Sequence, residues 1–249
     1  MLCDTNFESL VDEIGRELLD YGQVVDVGEW QSLRDPDLPM MKTVEVEDIS
    51  FVWDNVPHHL GSLQQAVRPN LPWAEYHFQE RMDGEPLNPG EQYKNWPWYK
   101  QGVEGHKAYG QFSHTYMERY WAGSNPKLRG IRFTPGDIRD LKSLLMTRPH
   151  TRQAYLPVWF PEDIHAADQG ERVPCTLGYH FLMRNNKLKV VYYMRSCDWF
   201  RYFRDDVYLT VRLQQEIAKV MGVEMGSFVM HISSLHIFEA EFDRLQAEN

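Results

Sequence analysis

Residues 177–195 read LGYHFLMRNNKLKVVYYMR. Two strand-like runs, 177–184 and 187–195, are separated by Asn185 and Asn186 alone, and a two-residue connection of this type turns the second run back along the first as a hairpin. Arg195 is thereby placed on a strand adjoining the one that begins after Cys175. The stretch that follows, MRSCDWFRYFRDDVY (194–208), interleaves Arg195, Arg201 and Arg204 with Asp198, Asp205 and Asp206 among Trp, Phe, Tyr and Val. A plain buried strand or surface helix does not mix charge and aromatic rings so densely. These charges either pair with one another or await a ligand that carries both signs.

The rest of the chain supplies mixed elements. Leu10, Val11, Ile14, Leu18 and Leu19 recur at helical spacing over 7–21, with Gly22 as a stop. Residues 41–53 alternate and read as a strand; 71–82 suggest a short helix and 110–121 another. Residues 84–108 are rich in Gly, Pro, Trp and Lys and read as a long loop. Residues 136–147 form an amphipathic helix with Asp137 as its cap. Strands follow at 152–160, within the hairpin and at 228–238, with a helix over 206–221 ended by Gly222 and a short polar helix last. The loose alternation predicts an α/β (α+β) fold. No Pro, Gly or Ser linker divides the 249 residues, so one domain over 1–249 is expected. No GxGxxG or GxxxxGK[ST] run supports a phosphate-binding glycine loop.

Charge and cysteines narrow the function. A net charge of -10 argues against a nucleic-acid surface, and any anionic ligand must be held by local arginines. The N-terminus, MLCDTNFESLVDEIG, has no apolar signal region, and no apolar run approaches a membrane span. Cys3, Cys175 and Cys197 are odd in number and widely spaced, which is neither a metal pattern nor a disulfide framework. A cytoplasmic protein with no metal, nucleic-acid or membrane partner is expected.

Taken singly, the candidate residues have ordinary readings. Cys175 suits a buried small hydrophobe, Arg195 with Asp198 an ion pair, His236 a core histidine, Glu75 a solvated helix face and Tyr109 packing. Taken in order, TRQAYLPVWFPED (151–163), VPC (173–175), RSCD (195–198), FRDD (203–206) and SLHIF (234–238) resemble the thymidylate synthase family. The resemblance is strongest over 140–240 and extends more weakly to MKTVEVEDISF and the Glu75 helix.

The resemblance implies a large curved mixed β-sheet flanked by helices, and a homodimer that binds a pyrimidine nucleoside monophosphate and 5,10-methylenetetrahydrofolate. Cys175 would add to carbon 6 of the base, making carbon 5 nucleophilic toward the one-carbon unit. Arg195 and Ser196 would hold the 5′-phosphate, His236 the sugar and Asp198 the pterin. Glu75 would organise proton transfer, Tyr109 would sit near the base, and Arg34 is a weak counterpart of a phosphate clamp. Arg152 matches the first of two adjacent arginines given to the partner's phosphate site, but Gln153 stands at the second.

Other departures bear on the substrate. Where uracil-binding members carry asparagine, this chain has Asp206. A carboxylate only accepts, which suits the 4-amino group of cytosine and a protonated ring nitrogen 3. Asp206, Thr176 after the cysteine and Met194 before Arg195 make the chain similar to phage deoxycytidylate (dCMP) hydroxymethylases. A helix cap is the competing role for Asp206. Phe238 replaces a tyrosine that reaches the sugar, which leaves a ribonucleotide open. The sequence ends eleven residues after Phe238, so water rather than hydride is expected to meet the intermediate, giving hydroxymethyl. dUMP or CMP as substrate, a methyl product, and a non-catalytic nucleotide-binding protein on the same scaffold stay open on these residues.

Overall fold

The computed structural model describes residues 1–27, 42–96, 107–108, 111–121 and 137–248. The first half contains β1 (Leu2–Asp4), α1 (Phe7–Tyr21), β2 (Gln23–Asp26), β3 (Lys42–Trp53), α2 (Leu60–Val67), α3 (Trp73–Met82), β4 (Lys107–Ala108), β5 (Gln111–Phe112) and α4 (Tyr116–Tyr120). The second contains α5 (Ile138–Thr147), β6 (Tyr155–Pro157), α6 (Glu162–Asp168), β7 (Thr176–Arg184), β8 (Lys187–Met194), β9 (Cys197–Asp198), α7 (Phe203–Met221), β10 (Glu224–Phe238) and α8 (Phe242–Glu248).

Asn185 and Asn186 both take left-handed backbone, with φ of 51° and 58°, which a tight hairpin turn requires and asparagine tolerates. The resulting β7–β8 ladder runs from Arg184 opposite Lys187 to Thr176 opposite Met194. It sits in a mixed sheet of order β1-β3-β10-β8-β7-β6, with β2 on β3 and β9 on β10. β10 is the hinge of this sheet. It pairs antiparallel with β3, then parallel first with β8 and further on with β9. Helix α7 lies on β8 and β10 and carries α2, α3 and α5 against it; α1 covers β3. The buried faces agree with the helical spacing: Phe7, Leu10, Ile14 and Leu18 of α1 are all buried.

The open mixed sheet flanked by helices is the architecture expected from the sequence, but several elements differ in extent. The helix expected to start at 206 starts at Phe203, because Asp206 N–H already donates to Tyr202 O at 2.8 Å. Asp206 is therefore inside the first turns and is not the cap, which is Tyr202. The strand expected over 152–160 shrinks to three residues, since Val158 and Trp159 both donate to Leu177 O as the chain leaves the ladder. The helix expected over 110–121 begins only at Tyr116, where Thr115 and Glu118 form a capping box. Part of the long loop is a 3-10 turn, Glu91–Asn95. The short β1, β2, α2 and α6 carry too few residues to show a period.

Most charges of the 194–208 stretch find protein partners. Arg204 grips both carboxylate oxygens of Glu8 at 3.0 and 3.1 Å and also donates to Val67 O. Arg201 bridges Asp198 at 3.2 Å and Glu241 at 2.9 Å. Asp205 accepts from the backbone and the side-chain amide of Asn70. The remaining pair, Arg195 and Asp206, faces a cavity.

Candidate active site

The hairpin register sets the first contact. Cys175 immediately precedes β7 and Arg195 immediately follows β8, so the ladder brings them side by side, with Arg195 N–H donating to Cys175 O at 2.9 Å. The guanidinium curls back over the same segment. Its Nε donates to Pro174 O at 2.9 Å, its Nη2 donates to Val173 O at 3.2 Å, and Nη2 lies 3.8 Å from Cys175 Sγ. Behind the cysteine, Thr176 Oγ1 joins a hydroxyl chain with Tyr116 and Tyr192, each contact 2.8 Å.

The β9–β10 pairing makes the second contact. It sets Cys197 opposite Leu235 and Asp198 opposite His236. Ser196 Oγ then lies 3.5 Å from His236 Nδ1. With the first turns of α7, these residues wall a cavity of about 320 Å³. Cys175, Arg195, Ser196, Asp198, Asp206 and His236 all line it. Arg152 does not; it is exposed at the start of the β6 segment, where its carbonyl accepts from His180. Arg34 and Tyr109 lie outside the described residues.

Burial sets the electrostatics. The carboxyl of Asp206 is pushed up to about 7 by desolvation, against the field of Arg81 and helped by Asp205 and Asp198. It accepts no side-chain or backbone hydrogen bond from any described residue. Burial also pushes the Cys175 thiol up and outweighs Arg195, which pulls it down. Arg195 favours the thiolate, and desolvation is the larger effect in the free protein. His236 is lowered by burial and is neutral at pH 7.

The placement expected for Glu75 is also corrected. Its carboxylate faces α7, where Arg212 holds it at 3.0 Å through both Nε and Nη2, and Tyr208 Oη donates at 2.6 Å. It does not line the cavity. The residues of α3 that do are Trp73, His77, Glu80 and Arg81. At about 100° per residue, positions 75 and 80 sit roughly 140° apart around the helix, so one helix offers either carboxylate but not both. Glu80 accepts from the amides of Glu91 and Gln92 and so holds the 3-10 turn at the cavity rim. His77 Nε2 accepts from Arg81 Nε at 2.9 Å, and its Nδ1 lies 3.7 Å from Glu80 Oε2. Burial and the Arg81 charge lower this imidazole to about 4, so it is neutral at pH 7. Replacing Glu75 with Gln is expected to cost about 2 kcal/mol of stability by weakening charge-assisted bonds. Nucleotide affinity should stay unchanged; thermal melting and equilibrium dialysis read the two effects.

Further cavity residues were not singled out in the sequence. Trp96 stacks on Tyr202 at 5.8 Å between ring centres and 17° between planes, giving an aromatic wall near Asp198. Arg172 lines the opposite segment, next to Val173. The recurrence of cavity residues at 73, 77, 80 and 81 is a helical period, and that was the available signal for His77, Glu80 and Arg81.

Fold and site together define an α/β protein with a half-buried cysteine beside an arginine, in a cavity walled by aromatic rings and lone charges. The thymidylate synthase family model matches residues 73–248, and the chain belongs to the thymidylate synthase family. Thymidylate synthases of Listeria monocytogenes serotype 4a (strain HCC23) and serotype 4b (strain F2365) are each 24% identical to it over 142 residues. Those matches cover 56% of this chain and 42% of each relative, so less than half of the relatives' length is spanned. The solved thermostable thymidylate synthase A from Bacillus subtilis shares the fold, with a TM-score of 0.71 at 19% identity over 98% of this chain and 84% of that one.

Proposed function

We propose that the protein transfers a one-carbon unit from 5,10-methylenetetrahydrofolate to carbon 5 of dCMP and releases 5-hydroxymethyl-dCMP, acting as a homodimer. The observation that carries this reading is Asp206, a half-buried carboxyl at the cavity wall with no side-chain hydrogen-bond partner among the described residues. Such a group is open to a ligand that supplies donors. Cytosine supplies its 4-amino group and, once protonated, nitrogen 3. Uracil sets its 4-oxygen against the carboxylate instead.

The other residues take roles that suit this substrate. Arg195 and Arg172 line the cavity without a carboxylate within 4.0 Å among the described residues, which suits a phosphate. Ser196 supplies a hydroxyl to the same anion, and His236 reaches the sugar. Arg152, exposed and off its own cavity, is free to serve the phosphate site of a second copy. Cys175 Sγ adds to carbon 6, with the Arg195 guanidinium 3.8 Å away to hold the thiolate charge.

The site also fits a folate. The Trp96–Tyr202 stack offers a flat wall, and Asp198 stands beside it with both oxygens oriented by Arg201. Bound there, the folate supplies the one-carbon unit at the formaldehyde oxidation level. Release as hydroxymethyl needs water at the methylene carried by carbon 5. Among the described residues that follow Phe238, none lines the cavity; the turn Glu239–Glu241 is pinned to Arg201, and α8 packs on α1. Thr176, Met194 and Asp206, shared with the deoxycytidylate hydroxymethylases, support the same reading.

Mass spectrometry of products from dCMP, dUMP and CMP, each with methylenetetrahydrofolate, tests it. A hydroxymethyl adduct on dCMP is expected. Asp206→Asn is expected to move the preference to dUMP, and a variant that uses both bases equally would sink the assignment of the base. A methyl product would retain the cysteine chemistry and overturn the role of water.

A further inference from the structure

Two opposite charges face the cavity without a contact partner of opposite sign. Arg81 of α3 is buried, 5% exposed, yet no carboxylate of the described residues comes within 4.0 Å of it. Its Nε donates to the neutral His77, and its guanidinium carbon lies 4.0 Å from the centre of the Tyr116 ring. Asp206 of α7 is the second lone charge. Helix α3 packs on α7, and both side chains line the same cavity. A buried guanidinium with no counter-ion is costly, as is a buried carboxylate. Opposite charges in a low-dielectric wall act on one another across several ångströms without touching.

We propose that Arg81 is the counter-charge of Asp206 across this cavity, a positioning residue that makes the carboxyl a proton donor to ring nitrogen 3 of the base. The part played by the base rests on the cytosine reading above; the coupling of the two charges does not. Each element packed around Asp206 contributes. Asp205 on its own helix and Asp198 on β9 oppose its ionisation, while Arg81 favours it. Tyr116 on α4, Tyr192 on β8, and the thiols of Cys175 and Cys197 are neutral at pH 7, each held in its protonated form by burial.

The chemistry balances. As the Cys175 sulfur, its proton passed to water, forms its bond to carbon 6, the π pair of the 5,6 bond moves to the 4,5 bond, and the 3,4 π pair comes to rest on nitrogen 3. That nitrogen takes the Asp206 proton and leaves a carboxylate facing Arg81. Carbon 5 is then an enamine carbon ready for the one-carbon electrophile. Expulsion of the thiolate returns the proton. A more acidic Asp206 gives up its proton more readily, which is the part Arg81 plays.

The test is a carbon-13 titration of the aspartate carboxyls in the full-length, ligand-free protein, with Asp206 assigned through Asp206→Asn. Arg81→Gln is expected to raise the Asp206 midpoint by about one unit, a tenfold weaker acid. Arg81→Lys, which keeps the charge, should hold it near the wild-type value of about 7. Arg81→Met gives the same readout where the glutamine variant does not fold. Turnover of dCMP by Arg81→Gln should fall with KM little changed. A midpoint that stays put in the uncharged variants overturns the proposal, even with dCMP turnover intact in the wild type. A wild-type protein that makes no product from dCMP would overturn the cytosine reading, while the titration would still decide the coupling.

Discussion

Cys175→Ala is expected to lower product formation by on the order of a thousandfold or more, because the reaction loses its covalent step and no described side chain replaces the sulfur. Nucleotide binding should survive. Arg195 is held by the carbonyls of Val173 and Pro174 and by its own backbone bond to Cys175, none of which needs the thiol. Product mass spectrometry and equilibrium dialysis on the same preparation separate the two. Retained turnover in the alanine variant would overturn the nucleophile assignment. Loss of binding together with turnover would mean that the thiol also holds the Val173–Cys175 segment in place.

Arg119→Met is expected to cost about 3–5 kcal/mol of folding stability, the size found when one member of a buried ion pair is removed. Arg119 and Asp163 have side chains 2% and 3% exposed and form a two-pronged pair at 2.7 and 3.0 Å. Asp163 also accepts from Phe160 N–H, and Arg119 donates to Val158 O. The pair therefore ties α4 to the start of α6 and to the segment after β6. Removing the cation leaves the Asp163 carboxylate in an apolar wall with one backbone donor. Urea unfolding reads the loss, and a change under about 1 kcal/mol would show that water reaches the carboxylate in the variant. Pairing the change with Asp163→Leu should recover part of the stability, since an uncharged interior no longer has an ion to desolvate.

The parts of the site that were legible in the sequence are those fixed by short-range geometry. The turn Asn185–Asn186 sets which residues face each other as far as Gly178 opposite Tyr193; an irregularity between Thr176 and Gly178 then shifts the pairing by one residue, to Thr176 opposite Met194, and leaves Cys175 beside Arg195. Asp198 and His236 are different. They meet through a parallel pairing of strands far apart in sequence, and only the resemblance to a family pointed there. Glu75 was misplaced because spacing reveals a helix but not which of its faces meets the cavity when both carry carboxylates. The tertiary packing of α3 on α7 decided in favour of the face with Glu80. Arg201 and Arg204 could not be assigned because their partners, Glu241 and Glu8, lie near opposite ends of the chain. The dense charge of the 194–208 stretch was thus partly structural mortar, while Arg195, Asp198 and Asp206 line the cavity.

The two-residue turn has a further consequence. It lies at the far end of the hairpin from Cys175 and Arg195, ten residues from Asn185 back to Cys175 and nine from Asn186 on to Arg195, or roughly 30 Å at 3.3 Å per residue. The alignment of thiol and guanidinium is therefore a matter of counting. Each strand works as a ruler, and the turn is where both rulers read zero. The irregularity between Thr176 and Gly178 already gives the Cys175 strand one residue more than its neighbour, and a further change of a single residue in either strand would carry the sulfur out of step with the charge beside it. Catalytic spacing in such a protein is stored as an integer, at a place no substrate touches.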